Sequence, residues 1–216
     1  MITAARYALR PMVPGDIPQA VDIERESFPT LWPQTTYRRE LQNRLARYIV
    51  AAEVGQAPAA TPPTLERGGW REAVRRLLGM EPEPPPTREL ILGFLGLWLM
   101  VGEAHIVTLA VREAYRRRGI GETLLVAALE VATQNGQDTM TLEVRRSNEA
   151  AHALYDKYGF TRAGFRSRYY SDNLEDAVLM SVHSLQSPEY QERLRGLKET
   201  HRRRWGDPVV SLPPAF

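Results

Sequence analysis

The run Arg116-Arg-Arg-Gly-Ile-Gly121 joins an apolar strand pattern ending at Val111 to an apolar helix pattern that starts at Gly119 or Ile120 and continues to about Gln134. The first turn of a helix has unpaired backbone N–H groups and a partial positive charge, so it holds anions where side chains stay clear. Gly119 and Gly121 keep side chains clear, and Arg116, Arg117 and Arg118 add positive charge. The junction therefore reads as an anion site, although a tight turn beside a solvated arginine run accounts for the same residues. Two other glycine signatures fail: a dinucleotide fingerprint needs glycine where Leu124 stands, and a Walker A loop needs a Gly-Lys-Ser/Thr that is absent.

Other chemistries are narrowed by what the chain lacks. It has no cysteine, which removes disulfides, thiolate metal sites and cysteine nucleophiles together. There is no G-x-S-x-G element for a serine nucleophile, and the four histidines (105, 152, 183 and 201) show no metal-ligand spacing, so no metal is expected. Glu103 and His105 share one face of a strand; His105 could relay a proton, and a strand that merely ends in polar residues is the plainer reading. Of 28 basic residues only Lys157 and Lys198 are lysine, against 26 acidic residues, for a net charge of +2. Arginine-rich surfaces are usually solvated, so direct nucleic-acid binding is not expected.

These residues need a scaffold, and the patterns supply one. A strand over Arg6 to Met12 precedes a helix from about Asp16, a plausible N-cap, to Ser27; a short helix from Thr35 or Thr36 to Asn43 precedes a strand over Arg47 to Val54. Composition then changes. Gly55 to Arg88 places PAATPP, RGG and EPEPPP around WREAVRRLLGM, in which Trp70, Val74, Leu77 and Leu78 recur at amphipathic-helix spacing, and this reads as an insertion. A hairpin over Glu89 to Val101 and Ala104 to Val111 turns at Gly102. After the long helix come a strand at Thr139 to Val144, a helix at Asn148 to Tyr158 closed by Gly159, strands at Thr161 to Tyr170 and Ala177 to His183, and a helical tail from Pro188 to Arg204. The 216 residues suit one α/β core with a mixed sheet plus attachments. No run approaches the roughly 18 apolar residues of a membrane span. No secretory signal is apparent, so a cytoplasmic protein is expected, as a monomer or weak dimer.

The R-x-x-G-x-G turn resembles that of the GNAT acetyltransferases. Three further stretches resemble the RimI-type enzymes of that family, which acetylate the N-terminal alanine of ribosomal protein S18: LEVRRSNEAAHALYDKYGF (Leu142 to Phe160), RYYSDNLEDAVLM (Arg168 to Met180) and FPTLW (Phe28 to Trp32). The resemblance covers about residues 5 to 54 and 89 to 183. It implies the GNAT fold, a twisted, mostly antiparallel mixed sheet with helices on both faces, as a domain over 1–185 interrupted by the insertion at about 55–88 and followed by an extension over 186–216.

The resemblance also implies a chemistry. Acetyl-CoA would be held by the backbone of Leu109, Ala110 and Val111 at its acetyl and pantetheine end, and by the turn Arg116, Arg117, Arg118, Gly119, Ile120, Gly121 and Glu122 at its pyrophosphate. Asn148 matches a cofactor-contacting asparagine and equally suits a helix N-cap. Glu143 matches the family's general base; on its own it reads as an edge-strand carboxylate paired with Arg145 or Arg168. Tyr155 matches the proton donor, seven residues after Asn148 and so on the same helix face, where a core tyrosine would also fit. Tyr169 and Tyr170 resemble the paired tyrosines beside the peptide site, with Phe28 and Trp32 on the opposite wall. Deprotonating an α-amine at pH 7 costs only about 1.4 kcal/mol against roughly 4.6 for lysine, which favours a protein N-terminus as acceptor. A small-molecule amine acetyltransferase and a non-catalytic acyl-CoA-binding module are the alternatives.

Overall fold

In β2 (Ala46–Glu53), Ile49 and Ala51 enter one hydrophobic cluster while Tyr48, Val50 and Ala52 enter another. Side chains alternate across a strand, so a strand apolar at nearly every position must be covered on both faces. The computed structural model, which describes residues 7–28, 37–54 and 86–213, covers both. The helices α1 (Ile17–Ser27) and α2 (Tyr37–Gln42) lie on one face, where Ala20, Ile23 and Tyr37 pack against Phe94 and Ala110. The other face carries α3 (Ile120–Gln134), α4 (Glu149–Lys157) and α5 (Pro188–Trp205), with Leu124, Tyr155 and Leu194 in the larger cluster.

The sheet adds β1 (Tyr7–Pro11), β3 (Ile91–Leu99), β4 (Glu103–Val111), β5 (Thr139–Arg145), β6 (Thr161–Arg166), β7 (Ala177–Val182) and β8 (Val209–Val210), in the order β6-β7-β5-β4-β3-β2-β1-β8. Only β4/β5 and β1/β8 are parallel. Among the described residues no helix is long and apolar enough to cross a membrane. The candidate helix in the insertion and Trp32 lie outside the described residues.

Two irregularities in β4 open the sheet. Gly96 pairs with Thr108 but Leu97 with Ile106, so Val107 is bulged. Past the bulge the parity of β4 changes: Ala104 and Ile106 face the α3 layer before it, Leu109 and Val111 after it. The parallel pairing with β5 also stops at Ile106 and Leu142, and the two strands diverge into a fork.

Three local expectations are corrected. Asp16 is not the side-chain cap of α1: its carboxylate accepts from Val13 N at 2.9 Å and pairs with Arg10 at 2.7 Å, stabilising the turn before the helix. The strand expected to reach Tyr170 ends at Arg166, because Arg168 turns to φ +53° and its backbone N–H donates to Asp176. The far end of the insertion is tied down: Thr87 donates to Gly15 O through its backbone and to Asp16 Oδ1 through its hydroxyl, and Glu89 pairs with Arg10. The short β8 was not foreseen.

Candidate active site

The fork opens a cavity of about 410 Å³ lined from both layers of the fold. Glu24, Phe28 and Tyr48 reach it from the α1 side, and Leu154 and Tyr155 from the α4 side. A gap in the sheet thus connects the two faces. A more open depression of about 690 Å³ between α4 and the β6/β7 hairpin includes none of the candidate acid, base or acceptor residues. Its size does not make it the better site, since groups able to do chemistry converge in the fork.

Glu143 sits in β5, between β4 and β7 rather than at an edge, and points to the α1 side because its neighbours Leu142 and Val144 fill the opposite core. It pairs with neither Arg145 nor Arg168. His105 Nε2 lies 3.0 Å from Glu143 Oε2, and Arg166 Nη2 lies 2.9 Å from Oε1. The His105 hydrogen bond lowers the Glu143 pKa against the opposing effect of burial, with the Arg166 charge adding to the lowering. His105 Nδ1 in turn meets Thr141 Oγ1 at 2.8 Å, and that hydroxyl donates to Glu103 Oε1 at 2.5 Å. A continuous polar row therefore runs along β4 and β5 from the base candidate to Glu103. The plainer reading of His105 as a polar strand end missed this, since the signal was the shared face of Glu103 and His105 and its partner strand was unknown.

Tyr155 is buried, its ring 5.6 Å from that of Phe160, and the residue lines the cavity. Burial pushes its pKa above the ordinary tyrosine value. A phenol that lines the cavity and stays protonated is suited to giving a proton. Asn148 is the N-cap of α4, its Oδ1 accepting from Ala151 N at 3.1 Å, and the residue also lines the cavity. Tyr169 and Tyr170 line the same cavity edge to face at 5.2 Å, from the loop after β6 rather than from a strand. Arg145 stacks over Tyr170 at 3.8 Å and pairs with Asp172 and Glu175, fixing that loop. Phe28 is half-buried at the cavity wall.

The anion turn follows directly from β4. Leu109 lines the fork, and Ala110 is buried by its side chain while its backbone belongs to the diverging edge. Gly119 has φ +81° and Arg117, unusually for a non-glycine, +62°. Gly121 has no such constraint, and an added Cβ would meet only Val111 Cγ2 at 3.6 Å. Ile120 is a core residue. Arg116 turns back to Val111 O, Glu26 O and Ser27 Oγ, and Arg118 stacks on Tyr115, so the side chains of these two brace the turn. The Glu122 carboxylate also points away from the turn's open side, to Lys157, Tyr158 and His201.

Whether acetyl-CoA suits this site can be judged from two features. Thr108 Oγ1 is buried at the fork without a partner among the described residues, leaving a polar atom for a ligand to satisfy. The backbone of β4 beyond Ile106 has lost β5 as its neighbour, which leaves strand groups to pair with an extended, amide-bearing chain such as pantetheine.

Comparison with known proteins decides the family. The model of the acetyltransferase (GNAT) family matches residues 76–160. A Bacillus subtilis (strain 168) protein, provisionally named a ribosomal protein bS18-alanine N-acetyltransferase, is 30% identical over 82% of this chain and 95% of its own. The chain belongs to the GNAT acetyltransferase family. An N-alpha-acetyltransferase of Sulfurisphaera tokodaii is 31% identical over 82% of this chain and 92% of its own. Among GNAT structures, the ribosomal-protein-S18-alanine N-acetyltransferase from Escherichia coli superposes with a TM-score of 0.62 at 24% identity, covering 82% of this chain and 94% of that one. The fold, the family and an N-acetyltransferase activity are thereby given, and among the described residues no group of histidines and carboxylates could hold a metal ion.

Proposed function

We propose that the protein transfers acetyl from acetyl-CoA to the N-terminal α-amine of a protein, with the N-terminal alanine of ribosomal protein S18 as the favoured acceptor. The observation that carries this reading is the fork, which sets a carboxylate base candidate on one side of a gap in the sheet and a protonated tyrosine on the other. Relatives named for α-amine acetylation support the acceptor class.

In this reading the backbone of Leu109 to Val111 and the turn Arg117 to Glu122 hold acetyl-CoA, which supplies the thioester. An extended N-terminus enters beside Tyr169, Tyr170 and Phe28. Glu143 takes the proton that the amine loses as its nitrogen bonds the acetyl carbon, and His105 stands on the same carboxylate to pass that proton toward Thr141 and Glu103. As the carbon–sulfur bond breaks, Tyr155 gives its proton to the departing sulfur. The low pKa of Glu143 is adequate because a free α-amine is partly neutral at pH 7.

Steady-state rates on an alanine-initiated peptide test these roles. General acid–base groups contribute about 10² to 10⁴ in rate, so Glu143→Gln and Tyr155→Phe should each lose kcat on that scale. Both should still bind acetyl-CoA in a calorimetric titration. Wild-type turnover in both would return Glu143 to a paired strand carboxylate and Tyr155 to the core.

A further inference from the structure

Beyond β7 the chain runs back across the cofactor side of the fold. Gln186 Nε2 donates to Thr133 O and Gln137 O, at 2.8 and 2.9 Å, at the far end of α3. Ser187 then caps α5, Tyr190 and Leu194 enter the core, and Lys198 pairs with Glu130 midway. α5 therefore lies antiparallel to α3 and arrives at the first turn of α3, which is the anion turn. Past Gly206, β8 pairs with β1 at the opposite edge of the sheet from β6. The tail spans the molecule.

Its contacts at the anion turn are specific. His201 Nε2 lies 2.8 Å from Thr123 Oγ1, which also meets Tyr7 OH from β1 at 2.7 Å and Gly119 O at 3.1 Å. His201 Nδ1 lies 3.3 Å from Glu122 Oε2, a close polar contact although not aligned as a hydrogen bond. A Cβ on Gly119 would fall 2.7 Å from Trp205 Cγ and Cδ1 and 3.0 Å from His201 Cε1, so both rings rest on that backbone. The turn also holds Arg117 at φ +62°, a sparsely populated conformation that persists only where its surroundings impose it.

We infer that the tail is a strap that holds the anion turn in its binding shape, with His201 and Trp205 as positioning residues for acetyl-CoA. It rests on the acetyl-CoA reading above. The carboxylate of Glu122 stands in the first turn of a helix meant to receive a diphosphate, and His201 joins Lys157 and Tyr158 in drawing that charge to the rear. Trp205 blocks the side on which the Gly119 backbone could relax.

The test is steady-state kinetics with acetyl-CoA and an alanine-initiated peptide varied in turn, for wild type, Trp205→Ala and His201→Ala, each with a thermal melt. The strap requires KM for acetyl-CoA to rise about tenfold, the equilibrium weight of a turn freed to relax. The peptide KM and kcat should stay within about twofold, the pattern of lost cofactor binding alone. Trp205→Phe and His201→Gln, which keep a ring and a bridging polar group, should recover most of the affinity. An unchanged acetyl-CoA KM with a lowered melting temperature would overturn the proposal and leave the tail a stabilising element only, as would equal losses in kcat and in both KM values. Trp205→Ala, at a partly exposed position, carries the test should His201→Ala fail to fold. A wild-type titration with no heat from acetyl-CoA would instead sink the acetyl-CoA reading itself.

Discussion

At Gly121 an added Cβ would meet an ordinary contact, while at Gly119 it would strike Trp205 and demand a left-handed backbone. The fold thus requires the first glycine and makes no such demand of the second, a division that the R-x-x-G-x-G spacing alone could not draw because it depends on a tail residue 84 positions beyond Gly121. Gly121→Val should accordingly weaken acetyl-CoA binding by about tenfold or more, since side chains exclude anions from helix amides, with little change in melting temperature. Calorimetry finding wild-type affinity would assign the glycine to chain flexibility. Glu143 yields a pH prediction of definite sign. His105 holds its carboxyl below the ordinary value, so it stays ionised through the neutral range and its acid limb falls below that range; burial raises Tyr155, which keeps its proton well into alkali. The profile of kcat/KM on a peptide should therefore show only the acceptor amine, rising to a plateau above about pH 8. A carboxylate limb between about pH 5.5 and 7 would mean that another acid controls the reaction.

Elements divide into those whose meaning is local and those whose meaning is tertiary. The helices and the hairpin at Gly102 were legible because apolar periodicity and glycine turns act over a few residues. The bulge at Val107 was not, since it is defined by pairing with Gly96 and Leu97 on another strand, nor was β8, two residues that become a strand only against β1. Thr87 and Glu89, at the far end of the segment read from sequence as an insertion, are tied to Asp16 and Arg10, so a deletion must stop before them. Replacing 56–85 with a short Gly/Ser turn should leave acetyl-CoA binding unchanged and shift the melting temperature by no more than a few degrees, because loop-closure entropy varies slowly with loop length. Lost binding would show that the segment belongs to the site.

Over the whole molecule the fork and the two helical layers combine: the sheet opens between β4 and β5, and the cavity there is lined from both of its faces. The family and the base and acid candidates could be read from sequence because they sit in contiguous stretches, Leu142 to Phe160 above all. The row Glu143, His105, Thr141 and Glu103 could not, since it crosses strands distant in the chain. The proposed function rests most heavily on an acceptor that enters as an extended N-terminus. The measurement that bears on this most directly is mass spectrometry of ribosomal protein S18 with a free N-terminal alanine, after incubation with the protein and acetyl-CoA. The expected result is one acetyl group on the α-amine of that alanine, with spermidine left unmodified in a parallel reaction. Acetyl found on lysine side chains or on spermidine, with the N-terminus free, would contradict the account.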